Sequence, residues 1–253
     1  MRFLAASVLS LIFTVGGALA QTIDVSSSPK TAKSPMYRPA LLGSGPNSLI
    51  NRIDTQGLIK AGQKDAAIMF TCSVTKTGQI VWSGTYRGTP GSERLSEEVL
   101  KRLDPATGIK FIPAIYNRQA VDVFFYGTVT FAVIEGKPRL RIFSNQEETE
   151  LEIESDFIGP QPFFGGDSKF NGLHFPTRRE APVMVNRVVE LHLDIDPDGT
   201  LKDIRLVSEK PPFLSFGDAA LADFKKARFI PAFRKGTPVA CQVTLPVYYK
   251  HRF

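Results

Sequence analysis

The sequence predicts an α+β fold made of two related units, each a small antiparallel sheet with a helix packed on one face. Two observations predict it. Residues 188–249 follow the order strand, tight turn, strand, helix and strand, and an earlier stretch follows a similar order. Both stretches contain the tetrapeptide Phe-Ile-Pro-Ala, at Phe111–Ala114 and again at Phe229–Ala232, an offset of 118 residues. We therefore expect an internal duplication.

The second unit opens with a predicted β-hairpin. Apolar and polar residues alternate from Val189 to Ile195, which is the period-two pattern of a half-buried strand. Asp198-Gly199 then supplies the residue with positive φ that a tight hairpin turn requires. Alternation resumes at Ile204, so a second strand is expected after the turn.

A helix and a last strand complete the second unit. The segment Asp218–Arg228 places apolar residues at steps of three and four, which predicts an amphipathic helix. Pro231 cannot continue that helix and favours extended geometry in the residue before it. The last strand is expected over Val239–Tyr249, after a turn at Lys235-Gly236.

The first unit repeats this order. Gly78 matches Gly199 as the turn residue, and the run Ser92–Leu103 carries apolar residues on one helical stripe. Two closing strands are expected, Val121–Tyr126 and Thr128–Ile134. Their aromatic surface either belongs to the core or faces a neighbour, and the core is favoured.

Both units resemble the C-terminal domain of TonB, whose pattern is strand, (D)xxG turn, strand, alanine-rich helix, F-x-P-A, G-x-P-V turn and apolar strand. In the first unit Asn117–Ala120 stands where the family has Gly-x-Pro, so the resemblance there is carried by fewer residues. The motif positions that carry it across both units are turn and core positions: Gly78, Phe111, Pro113, Ala114, Asp198, Gly199, Phe229, Pro231, Ala232 and Gly236.

The resemblance implies a protein partner and no cofactor. In the TonB family this domain pairs with a short segment of outer-membrane transporters, and small open sheets can accept an extended peptide along an unpaired edge. Carried over by position, the resemblance assigns partner binding to the last strand, with Cys241, Val243 and Leu245 facing in. The residues that we assign to the partner surface are Val239, Gln242, Thr244 and Tyr248. The alternative is that these strands only close the two cores against each other.

The first twenty residues predict a secretory signal peptide. One early arginine, an apolar run and Ala18-Leu19-Ala20 before Gln21 match its three regions. An export signal of this kind places the protein in the periplasm or outside the cell, without a membrane span after cleavage. The alternative is an uncleaved inner-membrane anchor, because the apolar run approaches the length of a spanning helix.

The sequence divides into a signal peptide at 1–20, an extended lead-in at 21–61, a first unit at 62–135, a connection at 136–182 and a second unit at 183–253. Ser144 or Asn145 is expected to cap a short helix in the connection. The following stretch, Gly159–Phe175, is rich in glycine, proline and phenylalanine, and it either fills the joint between the units or forms an exposed binding loop.

The charge distribution and the two cysteines allow predictions about nucleic-acid binding and disulfide formation. The net charge is +6, but Lys and Arg are scattered among acidic residues, so we expect a solvated basic surface and no nucleic-acid site. Cys72 and Cys241 are expected to point into the cores of different units as free thiols rather than to form a disulfide.

Residues suited to catalysis or metal binding do not form a recognisable pattern. The run Asp194–Thr200 matches the start of a calcium loop, but Arg205 occupies the position of its bidentate glutamate, so an acidic β-turn is expected. The three histidines show no metal-ligand spacing, and no nucleophile elbow or phosphate-binding loop is present. We therefore expect no enzymatic activity, no cofactor and no metal.

Three functions remain open at this point. The first is an exported protein-binding module that contacts envelope proteins by strand addition. The second is a TonB-like energy transducer with an uncleaved anchor, which supports transport across the outer membrane. The third is an envelope enzyme or polysaccharide binder that uses the Gly159–Phe175 loop.

Overall fold

The computed structural model describes residues 36–176 and 187–250. The predicted signal peptide lies outside the described residues. In chain order the elements are β1 (Tyr37–Arg38), β2 (Leu41–Leu42), α1 (Leu49–Arg52), α2 (Thr55–Lys60), β3 (Ala66–Val74), β4 (Ile80–Gly88), α3 (Glu93–Arg102), a 3₁₀ turn (Pro105–Thr107), β5 (Phe111–Ile112), β6 (Ala114–Tyr116), β7 (Gln119–Val121), β8 (Val123–Ile134), β9 (Lys137–Phe143), α4 (Glu148–Glu152), β10 (Gln161–Pro162), β11 (Arg187–Ile195), β12 (Leu201–Lys210), α5 (Phe216–Phe224), β13 (Phe229–Ile230), β14 (Ala232–Arg234), β15 (Thr237–Val239) and β16 (Cys241–Tyr249).

The first half of the described chain is organised by a four-stranded antiparallel sheet in the order β4-β3-β8-β9. Alternate residues of β3 from Ile68 to Val74 are buried and face α3, which contributes Leu95 and Val99 to the same core. The first turn of α3 is capped by a residue that lies outside the helix. The buried Gln63 side chain accepts a hydrogen bond from the Leu95 N–H at 3.1 Å.

The second half is organised by a three-stranded antiparallel sheet in the order β12-β11-β16. The core-facing residues of β11 are fully buried from Val189 to Ile195, as the alternation predicts. Helix α5 covers this face with Ala220 and Phe224, which both belong to the second core. The mixed α+β class predicted from the sequence is therefore confirmed.

The two hairpins share their irregularities. In β4 the residues Val81 and Tyr86 are extra, since the register with β3 shifts at each of them. In β12 the extra residues are Lys202 and Val207. Each bulge in β12 follows its counterpart in β4 at the same separation along the chain, so the local twist that bulges impose is the same in both hairpins.

Both Phe-Ile-Pro-Ala segments pair with a short strand from outside their own hairpin. In the first half β2 and β1 pair with β5 and β6, so Leu41 lies opposite Ile112. In the second half β10 pairs with β13, and Gln161 lies opposite Ile230. The described part of the predicted lead-in is thus a structural part of the first half, and its helices bury Leu49 and Leu58 in the first core.

The two halves share side chains across their joint. Phe124 and Tyr126 project from β8 into the second core. Ile230 and Phe233, in turn, belong to the first core together with Phe163. Phe163 and Phe170 of the connection are each 1% exposed, so this connection fills the joint, which was one of the two expectations for it.

Three local predictions were wrong. The two closing strands predicted for the first unit form one continuous strand, β8, and its partner β9 lies in the stretch 136–182, which the sequence predicts to be a connection. The cap of α4 is Glu147, because Asn145 is buried and donates its side-chain N–H to the Phe157 carbonyl at 3.0 Å. Leu151, Ile153 and Phe157 predict an apolar contact for the short helix, but Ile153 is 72% exposed.

Candidate functional site

The outer edge of β16 is the first part of the candidate site. Strand β16 pairs with β11 on one side, and within residues 36–176 and 187–250 no strand pairs with its other side. Its counterpart in the first half, β8, pairs with β3 on one side and with β9 on the other. An edge strand carries unpaired N–H and C=O groups that can template another strand.

The direction of the backbone groups on this edge follows from one contact. The Thr244 N–H donates to Glu147 Oε1 at 2.8 Å instead of to β11. Because N–H groups of alternate residues point to the same side of an antiparallel strand, the amides of Gln242 and Tyr248 point to the same edge. Pro246 falls in the same phase and has no N–H, so one donor is missing from the row.

The structure separates the four residues that the sequence assigned to partner binding. Gln242 is exposed and Thr244 is half-buried, and both belong to the outer edge of β16. Val239 is half-buried and lies in β15, where it pairs with Ala232. The side chain of Tyr248 lies in the joint between the halves and is 6% exposed, so only its backbone belongs to the edge.

Tyr248 is held in the joint by residues of β4. Its ring lies 6.0 Å from that of Trp82 and 6.1 Å from that of Tyr86, measured between centroids. Gly84 makes this approach possible, since a Cβ there would lie 2.5 Å from Tyr248 Cε1. Burial raises the pKa of the Tyr248 hydroxyl.

An aromatic cleft of about 430 Å³ is the second part of the candidate site, and it adjoins the end of β16. We call it the aromatic cleft. Its walls come from both halves and from the connection between them. The lining residues are Ser73, Val81, Trp82, Phe124, Phe164, Gly172, Leu173, Phe175, Tyr248, Tyr249 and Lys250.

The rings of the cleft support one another by edge contacts. Phe124 meets Phe164 at 4.9 Å between centroids with an interplanar angle of 81°. Phe175 meets Tyr249 at 5.4 Å between centroids with an interplanar angle of 80°. Such arrangements fix ring orientation, so the wall is preformed. Among the described lining residues Lys250 alone carries a charge, and it is exposed.

The residues of the family pattern hold turns and cores and do not form a chemical site. Gly199 and Gly78 each lie under the backbone of the following Phe-Ile-Pro-Ala segment. Phe229, Ala232, Phe111 and Ala114 are buried, and Gly236 closes the turn between β14 and β15 with positive φ. The remaining motif residues flank these positions: Pro113, Asp198 and Pro231.

Titratable residues do not gather in the described parts of the chain. No group of three or more His, Cys, Asp or Glu there could hold a metal ion. Asp198 accepts the Thr200 N–H at 2.9 Å, so it serves the hairpin turn. Burial raises the pKa of the Cys241 thiol to about 12 and that of Cys72 still further, which keeps both thiols protonated at neutral pH.

His174 of the Gly159–Phe175 loop forms an acid–histidine pair with Asp223 of α5. Asp223 accepts the His174 backbone N–H at 2.8 Å, and its other oxygen lies 2.6 Å from His174 Nδ1. The His174 side chain is 74% exposed and lies outside the aromatic cleft. This pair fastens the loop to α5.

Sequence reasoning did not identify Glu147, Trp82 or the cleft. Glu147 reaches β16 across 97 positions of the chain, and the cleft combines residues from β4, β8, the connection and β16. The one available signal is the concentration of phenylalanine in the connection, which does not indicate the residues that pack against it.

Comparison with known proteins finds a family match in the second half. Residues 186–251 match the family described as Gram-negative bacterial TonB protein C-terminal. The first half is not covered by that match. No curated protein and no solved structure matches the chain. Within the described ranges no helix is long and apolar enough to cross a bilayer.

Proposed function

We propose, from the premise that residues 186–251 form a TonB C-terminal type of domain, that this protein binds an extended segment of another envelope protein along the outer edge of β16. The segment would add as an antiparallel strand next to Gln242 and Thr244. Main-chain hydrogen bonds give such complexes their affinity, and alternate side chains give their specificity. The role is non-enzymatic, in an exported protein of the periplasm or the cell exterior.

One observation carries the proposal: the strand that corresponds to β16 in the first half has a partner on its outer edge. There β9 lies against β8 over seven residue pairs, from Thr128 opposite Phe143 to Ile134 opposite Lys137. By the register of β8 with β3 and of β16 with β11, these residues of β8 correspond to the stretch of β16 from Pro246 onward, further along the same edge than Gln242 and Thr244. The first half thus supports the proposal that this edge of the sheet accepts an antiparallel strand.

We further propose that both halves are copies of one TonB C-terminal type of unit. The shared bulges of β4 and β12 support this, because bulge positions do not follow from fold class alone. The matching contacts of Gly78 with Phe111 and of Gly199 with Phe229 support it as well. In this scheme the first copy has covered its binding edge with β9, and the second copy retains the binding role.

Site-specific photocrosslinking tests the proposed edge. A photoreactive amino acid is placed at Gln242, and a matched one at Lys202 on β12, the opposite edge of the same sheet. In cells that express the full chain, we expect Gln242 to capture a defined envelope protein that Lys202 does not capture. Mass spectrometry of the adduct identifies the partner and the captured segment.

A pair of variants then tests whether strand addition is the binding mode. Gln242→Pro removes one outward N–H and leaves the pairing with β11 in place, whereas Gln242→Ala retains the N–H. We expect Gln242→Pro to lower the affinity for the captured partner about tenfold and Gln242→Ala to leave it nearly unchanged. Equal binding by both variants, or capture of the same protein from Lys202, would reject the edge.

A further inference from the structure

The aromatic cleft adjoins the proposed edge at the end of β16. Its volume of about 430 Å³ falls in the range of about 300–1,000 Å³ that is usual for ligand pockets. Val81 is 61% exposed and Phe175 is 46% exposed, so two of its walls present apolar surface to solvent. A preformed apolar space of this size at the end of a strand is suited to a bulky side chain.

The lining determines the chemistry of that side chain. Six of the lining residues carry aromatic rings, and the ring pairs already present meet edge to face or tilted. Another ring can enter the same arrangement, and aromatic pairs are worth about 0.5–1.5 kcal/mol beyond their buried area, or about 2- to 12-fold in affinity. A ring is therefore favoured over an aliphatic chain of similar size.

The charge at the cleft determines what lies next to that ring. Lys250 is exposed and is the one charged residue in the described lining, and no acidic side chain opposes it there. A carboxylate on the ligand would therefore meet a cation without a competing anion. Exposed pairs of this kind contribute modestly, about two- to fivefold in affinity.

The cleft is continuous with the edge through β16 itself. The Tyr248 backbone belongs to the outer edge of β16, while the side chain of Tyr248 lines the cleft together with Tyr249 and Lys250. Strands rise about 3.4 Å per residue, so Thr244 and Lys250 are about 20 Å apart along the strand. One extended segment of about seven residues spans both features.

We infer that the aromatic cleft receives an aromatic side chain of the partner segment, with a carboxylate of that segment beside Lys250. This rests on the proposed function for the identity of the segment. The recognition chemistry, a ring next to an acid, rests on the cleft alone.

The chain carries its own probe of the cleft, since Trp82 is its single tryptophan and forms part of the wall. We propose to titrate the full chain with N-acetyl-L-phenylalanine, its amide and N-acetyl-L-alanine, and to follow Trp82 emission. The expected result is a saturable change with N-acetyl-L-phenylalanine, a change about two- to fivefold weaker in affinity with the amide, and none with N-acetyl-L-alanine. The absence of a saturable change would overturn the inference.

Matched variants test whether N-acetyl-L-phenylalanine binds in the aromatic cleft. Phe175→Ala removes a cleft wall and should weaken binding about fivefold, whereas Phe213→Ala removes a ring that is 91% exposed outside the cleft and should have no effect. Val81→Ala is a second, milder wall variant, expected to weaken binding about twofold. Lys250→Gln should make the acid and the amide bind equally, and Lys225→Gln should not. Equal effects of Phe175→Ala and Phe213→Ala would overturn the inference.

The two proposals fail separately. Gln242→Pro should leave the binding of N-acetyl-L-phenylalanine unchanged, because Gln242 does not line the cleft. If the cleft binds N-acetyl-L-phenylalanine but Gln242→Pro does not weaken binding of the partner, the proposed edge is wrong and the cleft inference is retained. If the edge is supported but the captured segment lacks a ring beside an acid, or Trp82 emission does not respond, the cleft inference is overturned.

Discussion

Gly199 lies directly under the backbone of Phe229: the Phe229 N–H donates to the Gly199 carbonyl at 3.0 Å, and a Cβ on Gly199 would lie 1.8 Å from the Phe229 oxygen. The same relationship joins Gly78 and Phe111, with a 2.8 Å hydrogen bond and a 2.0 Å approach. In both halves the hairpin turn is therefore locked against the strand that follows the helix, and only glycine fits.

This contact predicts the effect of a single added carbon. Gly199→Ala combines a φ of +81° with a collision against backbone, so we expect a loss of about 3 kcal/mol or more in the free energy of unfolding. Gly236→Ala is the control, because its φ is +72° but its Cβ would meet open space, and about 1 kcal/mol is expected. Urea denaturation measures both. Similar losses for the two variants would mean that strain at φ, and not the contact, dominates.

The Gly78 and Gly199 turns could be predicted from the sequence because turn chemistry is local. The helices Glu93–Arg102 and Phe216–Phe224 could also be predicted, within a few residues, from apolar spacing. Strand β9 was missed, since its sequence Lys-Pro-Arg-Leu-Arg-Ile-Phe has a proline near its start and charges on one face, features that a sheet edge tolerates and that a sequence pattern does not reveal.

The candidate site could be predicted only in part. The sequence correctly placed Gln242 on an outward position of the last strand, because strand alternation sets that direction. It could not place Tyr248, whose burial depends on Gly84 of the other half. Contacts between residues far apart in the chain follow from how the two sheets pack, and no local pattern encodes that packing.

Gln161 joins the two short strands that pair with the Phe-Ile-Pro-Ala segments. Its side chain accepts the Ala40 N–H at 2.7 Å and donates to the Ala40 carbonyl at 3.1 Å, and it is 1% exposed. Gln161→Ala leaves both backbone groups buried without these bonds, so we expect a loss of about 3 kcal/mol. Gln56→Ala, at an exposed position, should change stability by less than about 0.5 kcal/mol. A loss below 1 kcal/mol for Gln161→Ala would show that water replaces the side chain.

Arg87 and Glu190 form an ion pair across the joint, and Ser208 donates to Glu190 at 2.6 Å. Burial acts to raise the pKa of Glu190, but the Ser208 hydroxyl and the charges of Arg87 and Lys210 outweigh it, so the pKa is lowered. A lowered pKa in the folded state means that the stabilisation is present at neutral pH and is lost as pH falls through that pKa.

We therefore expect Glu190→Gln to destabilise the chain by about 1 kcal/mol at pH 7 and by less below pH 4. Arg87→Gln combined with Glu190→Gln completes a double-mutant cycle that isolates the pair. The exposed pair of Lys202 and Asp196, 3.1 Å apart within one hairpin, is the control, with a smaller coupling energy expected. A coupling energy of zero for Arg87 and Glu190 would assign the whole effect to Ser208 and Lys210.

Glu147 occupies the edge that we assign to the partner. Its pKa is shifted in the opposite direction to that of Glu190. Burial raises its pKa, the bond from the Thr244 N–H acts against that, and the charge of Glu150 raises it further, so the pKa is raised. A raised pKa means that the folded chain holds this proton more tightly than the unfolded chain, and stability is lost as pH rises through the folded-state pKa. The Glu147 carboxylate therefore lowers the stability of the folded chain at neutral pH, although the Thr244 N–H partly offsets the effect of burial.

Glu147→Gln keeps an oxygen for the Thr244 N–H and removes the charge. We expect it to be more stable than the parent chain at pH 7, with the difference disappearing below about pH 4, where the parent carboxyl is protonated. Glu148→Gln, at the neighbouring exposed position, should match the parent at both pH values. Urea midpoints at pH 7 and pH 4 measure the difference. A less stable Glu147→Gln variant at pH 7 would show that the negative charge of Glu147 stabilises the contact between α4 and β16. Glu147 would then close this edge to a partner strand.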